Sequence, residues 1–408
     1  MRTSQWSAAA LAAGLVVTLA ACAPAGEGTE PQTGQELTML IGSSGEAETN
    51  AVQAAAAAWA EETGNTVEVI AASDLVQQLG QGFSGNNPPD LFYMPWDQFQ
   101  TYAAQGFLEP YAEELANADE FLPALREQFS YDGQFYCAPK DFSTLGLQIN
   151  TDAWTAAGLT DADIPTDWEQ LATVASALTT ADQVGLSMGR EYTRIGVFMN
   201  QAGGTLVDGG EITADSPENA EGIAYLQSLI QAGSLKFPQE LEAGWGGEAF
   251  GLGKAAMVIE GPWINGAMVN DFPDRKFISV ELPAGPAQAS TFAFSNCWGM
   301  PVDSETKDAT IDLIEFLTSD DQQLAFADAF GVIPSTEAGA AAYAEQFPNN
   351  AAFVAGVSSA ASPVAFQGAA AAIADFNTQL EQIGSAEPSS LLAPLQKNLQ
   401  AAFDEANG

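Results

Sequence analysis

The chain has 408 residues, with 53 acids against 11 Lys plus Arg and no His, giving a formal net charge of −42. A surface this acidic repels nucleic acid and offers no basic patch to anionic lipid. Lack of His excludes Ser-His-Asp and Cys-His nucleophile pairs, His-based zinc sites and an imidazole base. There is no strand–GxxxxGK(S/T)–helix phosphate loop, and the GxGxxG at residues 80–85 runs into an Asn-Asn-Pro-Pro breaker instead of opening a helix after a strand. Carboxylate-only catalysis, as in glycoside hydrolysis, stays open. By elimination the composition leans towards binding, with no catalytic residue, cofactor or metal expected.

The N-terminus carries one early cation, Arg2, and then an apolar run from about residue 8 to 21. That run is short for a membrane span and ends on small side chains, the pattern of a cleavable export signal. Its Leu19-Ala20-Ala21-Cys22 ending resembles the lipobox of bacterial lipoproteins, in which the Cys becomes the lipid-modified first residue of the mature chain. Residues 23–36, APAGEGTEPQTGQE, have almost nothing to bury and read as a flexible tether. Residues 1–21 are therefore assigned to a signal peptide and 22–36 to a lipid-anchored tether. The working part is expected outside the cell, held to the outer face of the cytoplasmic membrane. No later stretch is long and apolar enough to span a bilayer.

The body opens with a predicted strand at 37–41, a polar turn, and an Ala-rich helix that runs through Trp59 and stops near Gly64. A strand at 67–70, a helix, an Asn-Asn-Pro-Pro breaker and a strand at 90–94 follow. This alternation predicts a parallel sheet with helices on both faces, and ligands in such sheets sit beyond the carboxyl ends of the strands. Those ends carry Ser43, Ser44 and Glu46 after the first strand, and Trp96 and Asp97 after the third. A second block of the same style begins after 136–141, with a strand at 145–149 and a helix at 167–178. Ser216-Pro217 is a helix start, a capping side chain followed by Pro at the first helical position. A buried strand is expected within 250–259, a helix at 305–318, and mostly helix from about residue 336.

Besides Cys22, the sequence holds two cysteines, Cys137 and Cys297. In an oxidising compartment two otherwise solitary thiols are expected to pair. Closing so long a loop stabilises a fold by roughly 4–5 kcal/mol in the chain-entropy view. The expected architecture is α/β and two-lobed. Residues 37–142 with 300–333 form one lobe and 143–299 with 334–408 the other, and the ligand cleft lies between them.

At this point several motifs are familiar. They are Trp59-Ala60-Glu61-Glu62-Thr63-Gly64, Pro89-Asp90-Leu91-Phe92, Gly106-Phe107-Leu108, the stretch 136–150, Gly253-Lys254-Ala255-Ala256-Met257 and Gly261-Pro262-Trp263. In this order they resemble the extracellular solute-binding proteins of carbohydrate ABC importers, in particular the oligosaccharide-binding, maltose-binding-protein-like branch. The resemblance covers about residues 37–400 and implies the periplasmic-binding-protein-like fold. It implies Glu46 and Asp97 as acids that hydrogen-bond sugar hydroxyls, with Trp96 beside Asp97. It implies Glu191 and Tyr192 ahead of Gly203-Gly204, and Trp263 as a ring that stacks on sugar. Phe366-Gln367 occupies the stretch where relatives carry a further stacking aromatic, and Ala47 stands where a Lys is usual.

The chemistry suits these residue types. Apolar C–H faces of a sugar pack on aromatic rings, and carboxylates accept from its hydroxyls. Trp245 and Trp298 also sit at turns, and with Ser44 and Asp141 they complete the expected ligand set. The expected function is capture of a neutral sugar or oligosaccharide by a monomeric, lipid-anchored receptor that delivers it to permease transmembrane subunits and performs no chemistry. The alternatives are a secreted glycoside hydrolase with paired carboxylates and a receptor for a cationic solute such as a polyamine.

Overall fold

A computed structural model of the chain describes residues 33–43 and 45–407. The export signal, the tether as far as residue 32, the lipidation candidate Cys22 and the ligand candidate Ser44 lie outside the described residues, and Glu36 at the end of the expected tether already belongs to the first strand. No helix among the described residues is long and apolar enough to cross a membrane.

Two sheets, each with its own hydrophobic core, organise the body. In the first, strands Glu36–Ile41, Thr66–Ala71 and Leu91–Pro95 run parallel, with Glu36 opposite Thr66 and Met39 opposite Leu91. The helix Glu46–Thr63 stops at Gly64, which adopts φ 76° and turns its N–H back to the Ala60 carbonyl. Only a residue without a Cβ takes that conformation easily. Asp90 of the Pro-Asp-Leu-Phe motif fixes the strand register. Its carboxylate accepts from the N–H and hydroxyl of Thr38 at 2.8 Å each and from Thr306 Oγ1 at 2.9 Å. Trp59, buried in this core, donates to Asp312 Oδ2 at 2.8 Å and so brings in the helix Lys307–Thr318.

The all-parallel expectation fails at the fourth strand. Asn296–Gly299 lies antiparallel to Leu91–Pro95, with Cys297 opposite Met94. The reason is connectivity: this strand enters from the other lobe and needs no helical crossover.

The second sheet is mixed as well. Its order is Leu235–Lys236, Val184–Ser187, Ala255–Glu260, Gly146–Asn150, Phe277–Val280. The first three run parallel, and Gly146–Asn150 is antiparallel to both of its neighbours. Every residue of Ala255–Glu260 is buried, as a central strand with a near-continuous apolar run requires. Asp167 and Ser216 cap the helices Trp168–Leu178 and Pro217–Gln231 with their side chains. The last two helices, Ala369–Gln379 and Pro388–Asn407, bury Phe376, Leu392 and Leu399 in this second core.

Three segments lie side by side between the cores. Lys140 N–H donates to Asn296 O at 2.9 Å, and Phe142 exchanges backbone hydrogen bonds with Ile333 at 2.8 and 3.1 Å. Ser143–Thr144 pairs with Thr291–Phe294. At the edge of this band Cys137 and Cys297, 160 positions apart, form a disulfide with Cα atoms 5.6 Å apart. The expected pairing of these thiols is present, and both are buried.

Candidate ligand-binding site

The carboxyl ends of the parallel strands of the second sheet face the crossing band, and charged residues gather there. Glu260 ends the strand Ala255–Glu260 and is 2% exposed. Arg194, in the first turn of the helix Tyr192–Gln201, donates through Nη2 to Glu260 Oε2 at 2.7 Å and pairs through Nη1 with Glu191 Oε1 at 3.1 Å. Burial alone would lower the guanidinium's pKa, but the two carboxylates outweigh it and Arg194 stays charged. Glu191 is raised above the usual carboxylate range by burial, with Arg194 opposing and Glu260 adding to the shift.

Trp263 joins this triad. Its Nε1 donates to Glu260 Oε2 at 3.1 Å, and the Arg194 guanidinium lies 5.5 Å from its ring centre. The indole folds back over Gly261, where an added Cβ would collide with the ring. The Gly of Gly-Pro-Trp therefore makes room for the Trp. Trp245 does the same over Gly247, and it is half-buried beside the cluster of Phe250 and Met268. A Cβ on the intervening Gly246 would collide with Glu260 Oε1, so the turn that carries Trp245 packs against the same carboxylate.

Phe294, in the crossing band, connects the two lobes. Its ring centre is 6.3 Å from Trp263 and 6.4 Å from Trp96. Trp96 begins the helix Trp96–Ala104, which also touches the helix Ala369–Gln379 of the second core. Asp97 follows in the first turn, and burial raises its carboxyl above the usual range despite hydrogen bonds at the helix start.

The first lobe has a matching triad. Lys140, 5% exposed, pairs with Glu48 Oε1 at 3.1 Å and with Asp141, while Tyr93 Oη donates to Glu48 Oε1 at 3.0 Å. Lys140 also lies 4.6 Å from the Tyr93 ring centre and 5.2 Å from that of Phe330. Burial acts to lower the lysine, but Asp141 and Glu48 hold it well above its usual range.

The structure thus gathers Glu191 and Trp263 around Arg194 and Glu260, with Trp96 on the other side of Phe294 and Asp97 next to Trp96 in the same helical turn. Other expected residues lie elsewhere. Trp298 is a correction: it is fully buried in the first core, its ring 5.0 Å from Tyr93 and its carbonyl accepting from Tyr111 Oη. Its strand packs that side chain inward, so the turn beside it does not open onto the cleft. Glu46 is exposed on the first turn of its helix, and the acid that points inward from that turn is Glu48. Asp141 is held by Lys140 rather than presented to solvent. Tyr192 is buried against Phe292 at 5.5 Å. Phe366 packs edge-on against Phe403 of the last helix, 5.4 Å away, and Gln367 is exposed beside it. The sequence reading missed Arg194, Glu260, Phe294, Lys140 and Glu48. The available signals were a cation three residues after Glu191 and an acid immediately before Gly-Pro-Trp.

A cavity of about 180 Å³ lies in the second lobe, lined by Tyr192, Phe292, Asn219 and Val364 among others, but not by the triads. The chain is 21% identical to an ABC substrate-binding protein of Listeria monocytogenes solved with cycloalternan, covering 91% of this chain and 99% of that one at a TM-score of 0.80. It is 17% identical to UgpB of Mycobacterium tuberculosis, solved with glycerophosphocholine, covering 92% and 100% at a TM-score of 0.79. Among curated relatives it is 25% identical over 279 residues to the diacetylchitobiose binding protein DasA of Streptomyces coelicolor, covering 64% of each chain. These likenesses support the two-lobed solute-binding fold expected from the motifs. Residues 54–355 match the family described as bacterial extracellular solute-binding protein, and the chain belongs to that family.

Proposed function

We propose that this protein is the saccharide receptor of an ABC importer, working outside the cytoplasm as a monomer and tethered through a lipid on Cys22. The lobes in this reading are 37–142 with 300–333 and 143–299 with 334–408, except that the strand Asn296–Gly299 goes with the first lobe, whose sheet it completes. A sugar enters between them and is passed to a permease without being chemically changed. The observation that carries the reading is the line Trp96–Phe294–Trp263 with the Glu260–Arg194 pair bonded to its end. Flat apolar faces beside oriented donors and acceptors match a sugar ring, which has C–H faces and a rim of hydroxyls. The likeness to a diacetylchitobiose binding protein supports the same class.

A hydrolase needs one carboxyl free to act as acid and another as base or nucleophile. Glu191 and Glu260 are both engaged by Arg194, which disfavours that role. A cationic solute is the second reading, since aromatic rings with acids can hold a quaternary ammonium, and one structural neighbour was solved with glycerophosphocholine. Arg194 already lies over the Trp263 ring, and that placement favours the sugar.

Calorimetry against neutral mono- and oligosaccharides, with spermidine and glycerophosphocholine as competitors, tests the proposal. A saturable saccharide signal, with the sugar recovered intact after prolonged incubation, is expected. Binding of only the cationic or choline compounds, or release of smaller sugars, would overturn it.

A further inference from the structure

We infer that Arg190 makes this receptor selective for a saccharide carrying an anionic group, a carboxylate or a phosphate, at the outer end of the cleft. The inference rests on the saccharide reading above and departs from the neutral ligand that composition alone suggests.

Charge compensation is the starting point. In the first lobe Lys140 is matched by Glu48 and Asp141. In the second, Arg194 is matched by Glu191 and Glu260. Arg190 stands just beyond the carboxyl end of the strand Val184–Ser187 and one residue before Glu191. It has no carboxylate partner among the described residues, although acids outnumber Lys plus Arg by 53 to 11. Its guanidinium lies instead 5.3 Å from the ring centre of Phe237, which follows the neighbouring parallel strand Leu235–Lys236.

That arrangement orients the group without using its donors. A guanidinium resting on an aromatic ring keeps its planar fork of N–H groups free, and the fork matches a carboxylate or phosphate bidentately. Glu191, the nearest acid in sequence, is committed to Arg194. Arg190 thus stands at this strand end with donors that no acid among the described residues takes up, which points to an acceptor supplied by the ligand. The order of strands places this end one strand further from the crossing band than Glu260 and Trp263. An anionic substituent there would extend past the ring stacked on Trp263. The negative surface makes such a ligand enter slowly, so selectivity rests on this local contact rather than on long-range attraction.

The test is calorimetry with matched probes: neutral disaccharides, the same disaccharides ending in a uronic acid, and their 6-phosphates. The wild-type protein is expected to bind one charged series at least about tenfold tighter than its neutral match, the effect of ~1.4 kcal/mol. The uronate and phosphate arms separate the two anions. In Arg190→Gln the charged-to-neutral affinity ratio should fall to near one, and Arg190→Lys should restore part of it. A ratio near one in the wild type, or a ratio that Arg190→Gln leaves unchanged, overturns the inference while the saccharide reading stands. If neither neutral nor charged sugars bind, the saccharide reading itself fails and takes the inference with it.

Discussion

Glu260 Oε2 accepts from Trp263 Nε1 at 3.1 Å and from Arg194 Nη2 at 2.7 Å, so one buried carboxylate oxygen sets both an aromatic platform and a cation. The two partners come from different elements, a turn after a central strand and the first turn of a helix 66 residues earlier. Ligand affinity and lobe stability are therefore coupled at this point.

Replacing Trp263 with Ala removes the platform. Affinity for the best-binding saccharide should fall about tenfold or more, the loss expected of an aromatic hot spot. Trp263→Phe keeps a ring but loses the bond to Glu260, and should fall between the two. Near-normal affinity for the Ala variant by calorimetry would place the ring outside the ligand's reach.

Arg194→Met should destabilise the second lobe strongly. It leaves Glu260, with a side chain 3% exposed, without its ion-pair partner. Removing one member of a buried pair costs about 3–5 kcal/mol. Urea unfolding monitored by tryptophan fluorescence measures this, and a loss below about 1 kcal/mol would mean that the pair is effectively solvated.

Asp97 gives a pH prediction with a defined sign. Its folded pKa is raised by burial, so its contribution to stability is complete below the ordinary carboxylate range and is lost as pH rises through the raised value. Above the ordinary carboxylate range, keeping this half-buried carboxyl in the folded state is a liability to the empty protein. Asp97→Asn should therefore raise the melting temperature at about pH 7, with the gain vanishing near pH 3, where both forms are neutral. The same variant should bind saccharide more weakly, because an acceptor of hydroxyl hydrogens is gone. Lower stability of Asp97→Asn at neutral pH would contradict the sign.

Cys137 and Cys297 should be recovered as one cross-linked peptide pair by mass spectrometry without reductant. Changing both to Ser should lower stability by about 4–5 kcal/mol, as loop closure of this length implies. Two thiols freely alkylated in unreduced, denatured protein would rule the bridge out.

The lobes should close on ligand. Trp96 and Asp97 belong to the first core's elements, and Trp263, Glu260 and Arg194 to the second's, so one ligand touches both only when the cleft is shut. That difference in contacts shifts the population towards the closed form. Small-angle scattering should give a smaller radius of gyration at saturating saccharide. An unchanged radius, with the empty protein shown to be open, would mean a rigid cleft.

Local features were the readable ones. Gly64 ends the first helix as its position suggested, and Ser216-Pro217 starts another. The pairing of the two cysteines was also within reach, because cysteine count and export signal report on it directly. Trp298 was misread because a Trp beside a turn looks the same whether its strand packs it inward or outward. Glu46 and Glu48 could not be told apart either, being two positions apart on one helical turn, and only the fold decides which one meets Lys140.

The sequence by itself determined an acidic, histidine-free, two-lobed binding protein, since charge, periodicity and caps act over a few residues and need no partner. Only the tertiary structure decided which acids are matched by Lys140 and Arg194, that Phe294 stands between Trp96 and Trp263, and that Arg190 has no carboxylate partner among the described residues. These are contacts between segments far apart in the chain, set by how the crossing strands bring two cores together, and no local pattern encodes them.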